Sequence, residues 1–220
     1  MKQFKIRASG ASNIMGIKGL GKTGETYIKT WIKEQLYNRH KEIQNKYLQK
    51  GNECEDNSLD YIADQLDYGV LVKNEEYFED EYFCGTPDVI LKDHLIDVKN
   101  SWDCFTFPLF ETSINPAYLY QAQIYMHLTG IHEYELIYVL SDTPQHLIEK
   151  EAYYYCKNNG FEDLDPDVLE KFNKKMTYGD IPDKYRYKVY NISYDKAIIK
   201  TIQERTIECR GIISKLTKQL

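Results

Sequence analysis

The sequence predicts an α/β fold in which helices flank one mixed central β-sheet. Three observations lead there. Apolar residues recur at helical spacing near both ends of the chain. The middle holds short β-rich runs bounded by turn residues. No internal repeat and no Gly/Ser-rich or Pro-rich linker interrupts the 220 residues, so the chain reads as a single domain over 1–220 that can bury a full core. An α+β arrangement has the same element content.

Tyr27, Ile28, Trp31, Ile32 and Leu36 predict a first helix over Thr26–Tyr37. Leu59, Ile62, Ala63 and Leu66 predict a second over Glu55–Leu66, with Gly69 as its stop. DVIL and LIDV, separated by Lys92-Asp93-His94, predict a hairpin. AYLYQAQIYMHLT predicts a helix over Ala117–Thr129 with Gly130 as its C-cap. YELIYVL, from Tyr134, predicts a buried strand. The acidic, tyrosine-rich stretch 149–185 reads as a surface excursion with one short helix near 167–175. YRYKVYNISY returns to strand character, and Ile198, Ile199, Ile202, Ile207, Ile213 and Leu216 predict a long closing helix over 195–220.

Composition sets limits on function. Apolar residues make up 42% and charged residues 28%, as in soluble globular proteins. The net charge of −6 argues against a simple DNA coat, whose affinity comes from neutralised phosphates, but leaves room for one local basic groove. Twenty tyrosines suit stacking on bases and equally a tyrosine-rich core. Cys54, Cys84, Cys104, Cys156 and Cys209 are odd in number and contain no C-x-x-C, so neither a disulfide framework, a zinc site nor an iron–sulfur cluster is expected. Free thiols point to a reducing cytoplasm. The opening MKQFKIRASG has no signal-peptide h-region, and no apolar run reaches membrane-spanning length, so no membrane partner is expected.

Residues 16–23, GIKGLGKT, satisfy the phosphate-loop pattern through Gly16, Gly21, Lys22 and Thr23. A working phosphate loop follows a buried strand and opens a helix, so that amides and the helix N-terminus face the phosphates. Here SGASNIM precedes it, with no β-branched run. Asp142, the acid that would hold Mg²⁺, falls in the turn sequence Ser141-Asp142-Thr143-Pro144. A flexible glycine loop feeding a helix capped by Thr23 is the simpler expectation.

The chemistry lies in four other pieces. Asp97 and Lys99 are two apart in a strand and share a face, with Val98 on the other. Asp88, after Gly85-Thr86-Pro87, opens the paired strand and can meet Asp97 across the hairpin. Two converging carboxylates raise each other's pKa unless a cation lies between them, and an oxygen-rich site of this kind suits Mg²⁺ or Mn²⁺. Glu55 falls on the apolar stripe of its helix, a costly position unless it is paired or metal-bound; on spacing alone a first-turn acid favoured by the helix dipole is the slightly better reading. Gln121 shares a helix face with Tyr118 and Tyr125, where a satisfied core glutamine is the alternative.

In order, these pieces read G-x-x-x-E (Gly51, Glu55), G-T-P-D (Gly85, Pro87, Asp88), D-V-K (Asp97, Val98, Lys99) and Q-x-x-x-Y (Gln121, Tyr125). The set resembles the PD-(D/E)xK nuclease superfamily, with its restriction-endonuclease-like core, and within it the phage λ exonuclease/YqaJ and RecB-type nucleases. The likeness runs from about residue 6 to about residue 140. It implies a Mg²⁺- or Mn²⁺-dependent DNA exonuclease of phage recombination type. Asp88, Asp97 and the Val98 carbonyl would hold metal, with Glu55 completing the site. Lys99 would position water or neutralise developing charge, Gln121 would orient it, and Tyr125 would pack against it or touch the DNA backbone. Ser9, in IRASGASNIM, looks like a hydroxyl near the DNA 5′-phosphate, with Thr86 a second; Arg7, Lys18 and Lys22 would meet phosphates. The λ-type enzymes carry an arginine shortly after the catalytic lysine, whereas NSWDCFTFPLF has no basic residue. By the same likeness the partners are linear double-stranded DNA ends, a single-strand annealing protein that fits a recombination role, and further copies in a homo-oligomer. Competing readings are an endonuclease on the same fold, a catalytically silent scaffold and a phosphate-loop ATPase.

Overall fold

The computed structural model describes residues 1–17 and 19–220; Lys18, one of the expected phosphate contacts, lies outside the described residues. The chain opens with β1 (Ile6–Arg7), a 3-10 segment (Ala8–Ile14), α1 (Gly21–Tyr37) and α2 (Lys46–Gln65). Then come β2 (Phe78–Glu79), β3 (Phe83–Gly85), β4 (Val89–Ile90), β5 (Leu95–Asn100), α3 (Pro116–Thr129) and β6 (Glu133–Val139). α4 (Gln145–Asn158), α5 (Pro166–Met176), β7 (Tyr187–Ser193) and α6 (Lys196–Thr217) complete it.

The α/β class holds, but the strands divide into two mixed sheets where one was expected: β1-β3-β2 and β4-β5-β6-β7. The break has a local cause. Between β3 and β4 stands Pro87, which has no amide hydrogen to give a ladder, and its carbonyl accepts from Asn74 Nδ2 (3.0 Å). The expected hairpin is β4–β5, antiparallel with Val89 opposite Ile96. β5 and β6 run parallel, Asp97 opposite Leu136, with α3 as the crossover between them. β7 adds antiparallel to β6.

The alternation of β5 sorts the core into two layers. Leu95 joins Leu136, Tyr134 and the buried residues of α3 and α6 on one face. Ile96 and Val98 join Leu59 and Ile62 of α2 on the other. α3 ends as expected, with Gly130 left-handed at φ +75° and its amide closing on the Met126 carbonyl. The closing helix α6 buries Ile199, Ile202, Cys209 and Ile213.

Three expectations need correction. α1 starts at Gly21, so Thr23 lies inside the first turn and does not cap it; Leu20 holds the N-cap position without a side-chain bond. Gly24 permits this early start, since a Cβ there would meet Leu20 Cγ at 2.3 Å. α2 begins at Lys46, well before Glu55, capped by Asn45 Oδ1 accepting from the Leu48 amide (2.9 Å). Its first turns show no apolar stripe because Tyr47 and Leu48 are exposed while Lys50 is buried. The stretch 149–185 is more than a surface excursion. It contains most of α4 as well as α5, and Ala152, Cys156, Met176 and Tyr178 are buried.

Lys50 is 1% exposed, donates to the Trp102 carbonyl (3.0 Å) and lies over the Tyr178 ring. Burial pushes its pKa down to about 8. Of the five free cysteines only Cys104 is exposed. Among the described residues no helix is long and apolar enough to cross a membrane.

Candidate active site

Asp97 and Lys99 point from β5 toward α3. The Lys99 ammonium stands 2.6 Å from Asp97 Oδ2 and 3.8 Å from Asp88 Oδ2, bridging the two carboxylates that the hairpin brings together. Asp97 is 1% exposed. Its Oδ1 accepts from Gln121 Nε2 of α3 (3.3 Å), while the enclosed Oδ2 takes no well-formed hydrogen bond and is answered only by the ammonium charge. Gln121 is thus buried and partnered by Asp97, the satisfied amide that its helix spacing left open as an alternative.

The electrostatics match this crowding. Burial, and then the neighbouring Asp97 carboxylate, push Asp88 up to about 8. For Lys99 burial works against the charge, yet Asp97 and Asp88 outweigh it and hold the ammonium above its ordinary pKa. The Tyr118 ring, in the first turn of α3, lies 5.5 Å from the same ammonium. Tyr125 is buried one turn beyond Gln121, and burial followed by the Asp97 charge pushes its hydroxyl pKa up. It occupies the space that Gly85 leaves: a Cβ at Gly85 would meet Tyr125 Cε1 at 2.7 Å and the Ala8 Cβ at 3.3 Å. One glycine therefore lets β3, the 3-10 segment and α3 close up beside Asp88.

Glu55 does not join the carboxylate pair. Among the described residues no group of three acidic, His or Cys side chains is placed to hold one ion. Glu55 sits on α2, which packs on the Ile96/Val98 face, opposite to Asp97. Its carboxylate instead pairs with Lys73 Nζ (2.7 Å). Lys73 bridges to Val89 through its backbone, and the Asn74 amide donates to the Asp88 carbonyl (2.8 Å), so this ion pair still borders Asp88. The Glu55 charge adds to the upward pressure on Asp88. Lys73 carried no signal in the sequence: no periodic pattern surrounds it.

A second missed residue is Asn100, next to Lys99. Its Oδ1 accepts from Ser58 Oγ of α2 (2.6 Å) and from Ser141 Oγ beyond β6 (2.7 Å), and its Nδ2 approaches the Gly51 carbonyl (3.5 Å). Gly51 thus takes part through its backbone, and its Cβ position faces open space.

The expected DNA-contacting residues lie elsewhere. Arg7, Ser9 and Lys22 are exposed and line one cavity of about 1200 Å³, with Lys2, Lys5 and Lys41 among its other cations. Asp88, Asp97 and Lys99 do not line it; Cys84, one residue before Gly85, marks its near edge. Thr86 is half-buried between β3 and β4, outside that lining. Among the described residues the strand-to-helix setting of a phosphate loop is not met: a 3-10 segment separates β1 from α1, and the Asp142 carboxylate accepts from the Tyr178 amide (2.6 Å).

No protein-family model and no curated protein sequence matches the chain. Solved structures do. A phage-related exonuclease from Haemophilus somnus 129PT superposes with a TM-score of 0.78 at 25% identity, covering 99% of this chain and 97% of that one. An alkaline exonuclease, LHK-Exo, from Laribacter hongkongensis gives 0.67 at 17% identity over 98% and 92% of the two chains. LHK-Exo in complex with dAMP gives 0.67 at 19% identity over the same shares. These likenesses bear out the resemblance to λ exonuclease/YqaJ-type PD-(D/E)xK nucleases read from the sequence.

Proposed function

We propose that this chain, built on the fold of the phage-related and alkaline exonucleases, is a divalent-metal-dependent DNA exonuclease. The observation that carries the reading is the convergence of Asp88, Asp97, Lys99 and Gln121 from a hairpin and a crossover helix. The activity named for the 25%-identical phage-related structure agrees with it.

The residues present fit a hard cation. Asp97 Oδ2 is enclosed and without a hydrogen bond, and two carboxylates converge where only an ammonium offsets them. Asp88, Asp97 and the Val98 carbonyl would hold Mg²⁺ or Mn²⁺, with Glu55 recruited from Lys73. Such an ion supplies Lewis-acid polarisation of a phosphate oxygen and an acidic water as nucleophile.

The chain's own groups do the rest. Lys99 keeps its proton throughout, because both carboxylates hold its pKa up, and so neutralises charge that develops on the reacting phosphate. Gln121 fixes Asp97 through Oδ1, leaving Oδ2 for a cation. Tyr125 packs behind Gln121 and excludes water from that side. Arg7, Ser9 and Lys22 hold the DNA backbone along the basic cavity, and Thr86 offers a second hydroxyl. Linear duplex ends are the expected substrate, with a single-strand annealing protein and further copies of the chain as partners.

The test is digestion of a linear duplex, 5′-phosphorylated and labelled at either end, beside a closed circle, with and without Mg²⁺ or Mn²⁺. Metal-dependent loss from one end, absent in Lys99→Ala and on the circle, is expected. Cutting of the circle would replace the exonuclease with an endonuclease, and no digestion with either ion would leave a silent scaffold.

A further inference from the structure

Residues 101–114 leave β5 directly after Lys99 and Asn100 and return to α3, whose Tyr118 lies against the same Lys99 ammonium. The segment therefore begins and ends at the reacting groups, at the carboxyl end of two parallel strands. Its backbone is firmly held. The Asp103 carboxylate accepts from the amides of Phe105 (3.1 Å) and Thr106 (2.8 Å). Lys188 of β7 donates to the carbonyls of Pro108 (2.8 Å), Leu109 (3.2 Å) and Glu111 (2.5 Å), and the Tyr190 hydroxyl donates to Glu111 as well (2.7 Å). Phe107 is buried beside Leu140 and Tyr178.

Against that fixed backbone, Phe105 is 84% exposed and Phe110 is 87% exposed. Rings held this far out of the core by a fixed backbone are free to stack on a flat partner. Charge narrows what the contact is. Between Asn100 and Asn115 the chain carries Asp103 and Glu111 and no lysine or arginine. Lys50 and Lys188 offset these two acids but spend their protons on the Trp102, Pro108, Leu109 and Glu111 carbonyls, so a nucleic-acid strand at Lys99 meets the segment through uncharged base faces.

Resting on the exonuclease reading, we propose that Phe105 and Phe110 form a base-stacking platform for the nucleotides next to the phosphate held at Asp88, Asp97 and Lys99. The experiment uses a duplex with 2-aminopurine at either terminal nucleotide and the full-length chain in Ca²⁺, which supports binding more readily than turnover. It compares wild type, Phe105→Ala/Phe110→Ala and Phe105→Tyr/Phe110→Tyr at two salt concentrations, with molar mass by light scattering.

The expected result is roughly tenfold weaker binding in the alanine variant, a matching loss of 2-aminopurine quenching, and near-complete rescue by tyrosine. The loss is equal at both salt concentrations, since stacking releases no counterions. Unchanged binding and quenching in the alanine variant would overturn the platform. A change in molar mass with binding intact would also overturn it, making the rings a contact between copies. Wild type that quenches but digests nothing in Mg²⁺ removes the exonuclease reading while the platform stands; wild type that digests while the variant does so identically removes the platform alone.

Discussion

The Asp88/Asp97/Lys99 cluster and the basic cavity beside it are built on opposite plans. In the cluster, each charge is buried or half-buried and already has a fixed partner. In the cavity, Arg7, Ser9 and Lys22 are exposed and bound to nothing among the described residues. A charge held in a dry, preset geometry acts strongly on one reacting atom. A hydrated lysine contributes a small, salt-screened attraction to any phosphate that passes. On the proposed exonuclease reading, transition-state chemistry falls to the first region and strand retention to the second, and substitutions in the two should differ in kind as well as in size.

The largest effect is expected from Lys99→Ala, with single-turnover digestion falling by at least about a thousandfold at saturating DNA. Gln121→Ala should lower the same rate by roughly 10- to 100-fold and raise the metal concentration needed for half-maximal rate, as expected when the support of a metal ligand is removed. Gly85→Ala drives a methyl group into the Tyr125 ring and should cost about 1–3 kcal/mol in urea denaturation; Tyr125→Leu in the same chain should return part of it. Arg7→Ala and Lys22→Ala should each weaken DNA binding several-fold and reduce the slope of log K against log[salt] by about one, with the saturated rate unchanged. A fall in that saturated rate equal to the one seen for Gln121→Ala would erase the division between the two regions.

The last effect, on stability alone, lies outside both. Lys50 titrates at about 8 in the folded chain against 10.5 ordinarily, so between those values the unfolded chain binds more protons. Lys50 therefore adds stability as pH increases from about 8; above 9 the thiols of Cys54 and Cys209, whose pKa burial raises, pull the other way. The Lys50 gain should be absent in Lys50→Met, measured as the urea midpoint across that range.

The two regions also differed in how legible they were. Asp97, Lys99 and Gln121 could be placed because strand alternation and helix spacing fix which side chains share a face. Asp88 followed once the hairpin was recognised. Glu55 could be placed on its helix but not in space, because which layer α2 covers is set by tertiary packing, and its partner Lys73 lies in an irregular segment. The serine pair on Asn100 was invisible for the same reason: Ser58 and Ser141 are far apart in the chain and gain meaning only when α2 and the β6–α4 link meet. α4 did leave a trace, since Ile148, Ala152 and Cys156 recur every fourth residue. The exposed run Tyr153–Tyr155 masked it by adding aromatic residues on the solvent side.

Asn100 spends one carbonyl oxygen on two hydroxyls from distant parts of the chain, immediately beside Lys99. Three segments therefore share a single point of registration that involves no substrate and no ion. On the proposed exonuclease reading, the strand carrying Asp97 and Lys99 and the helix carrying Ser58 and Glu55 are already tied together before a substrate arrives. For the proposed exonuclease, such a pivot makes readiness a property of the protein at rest.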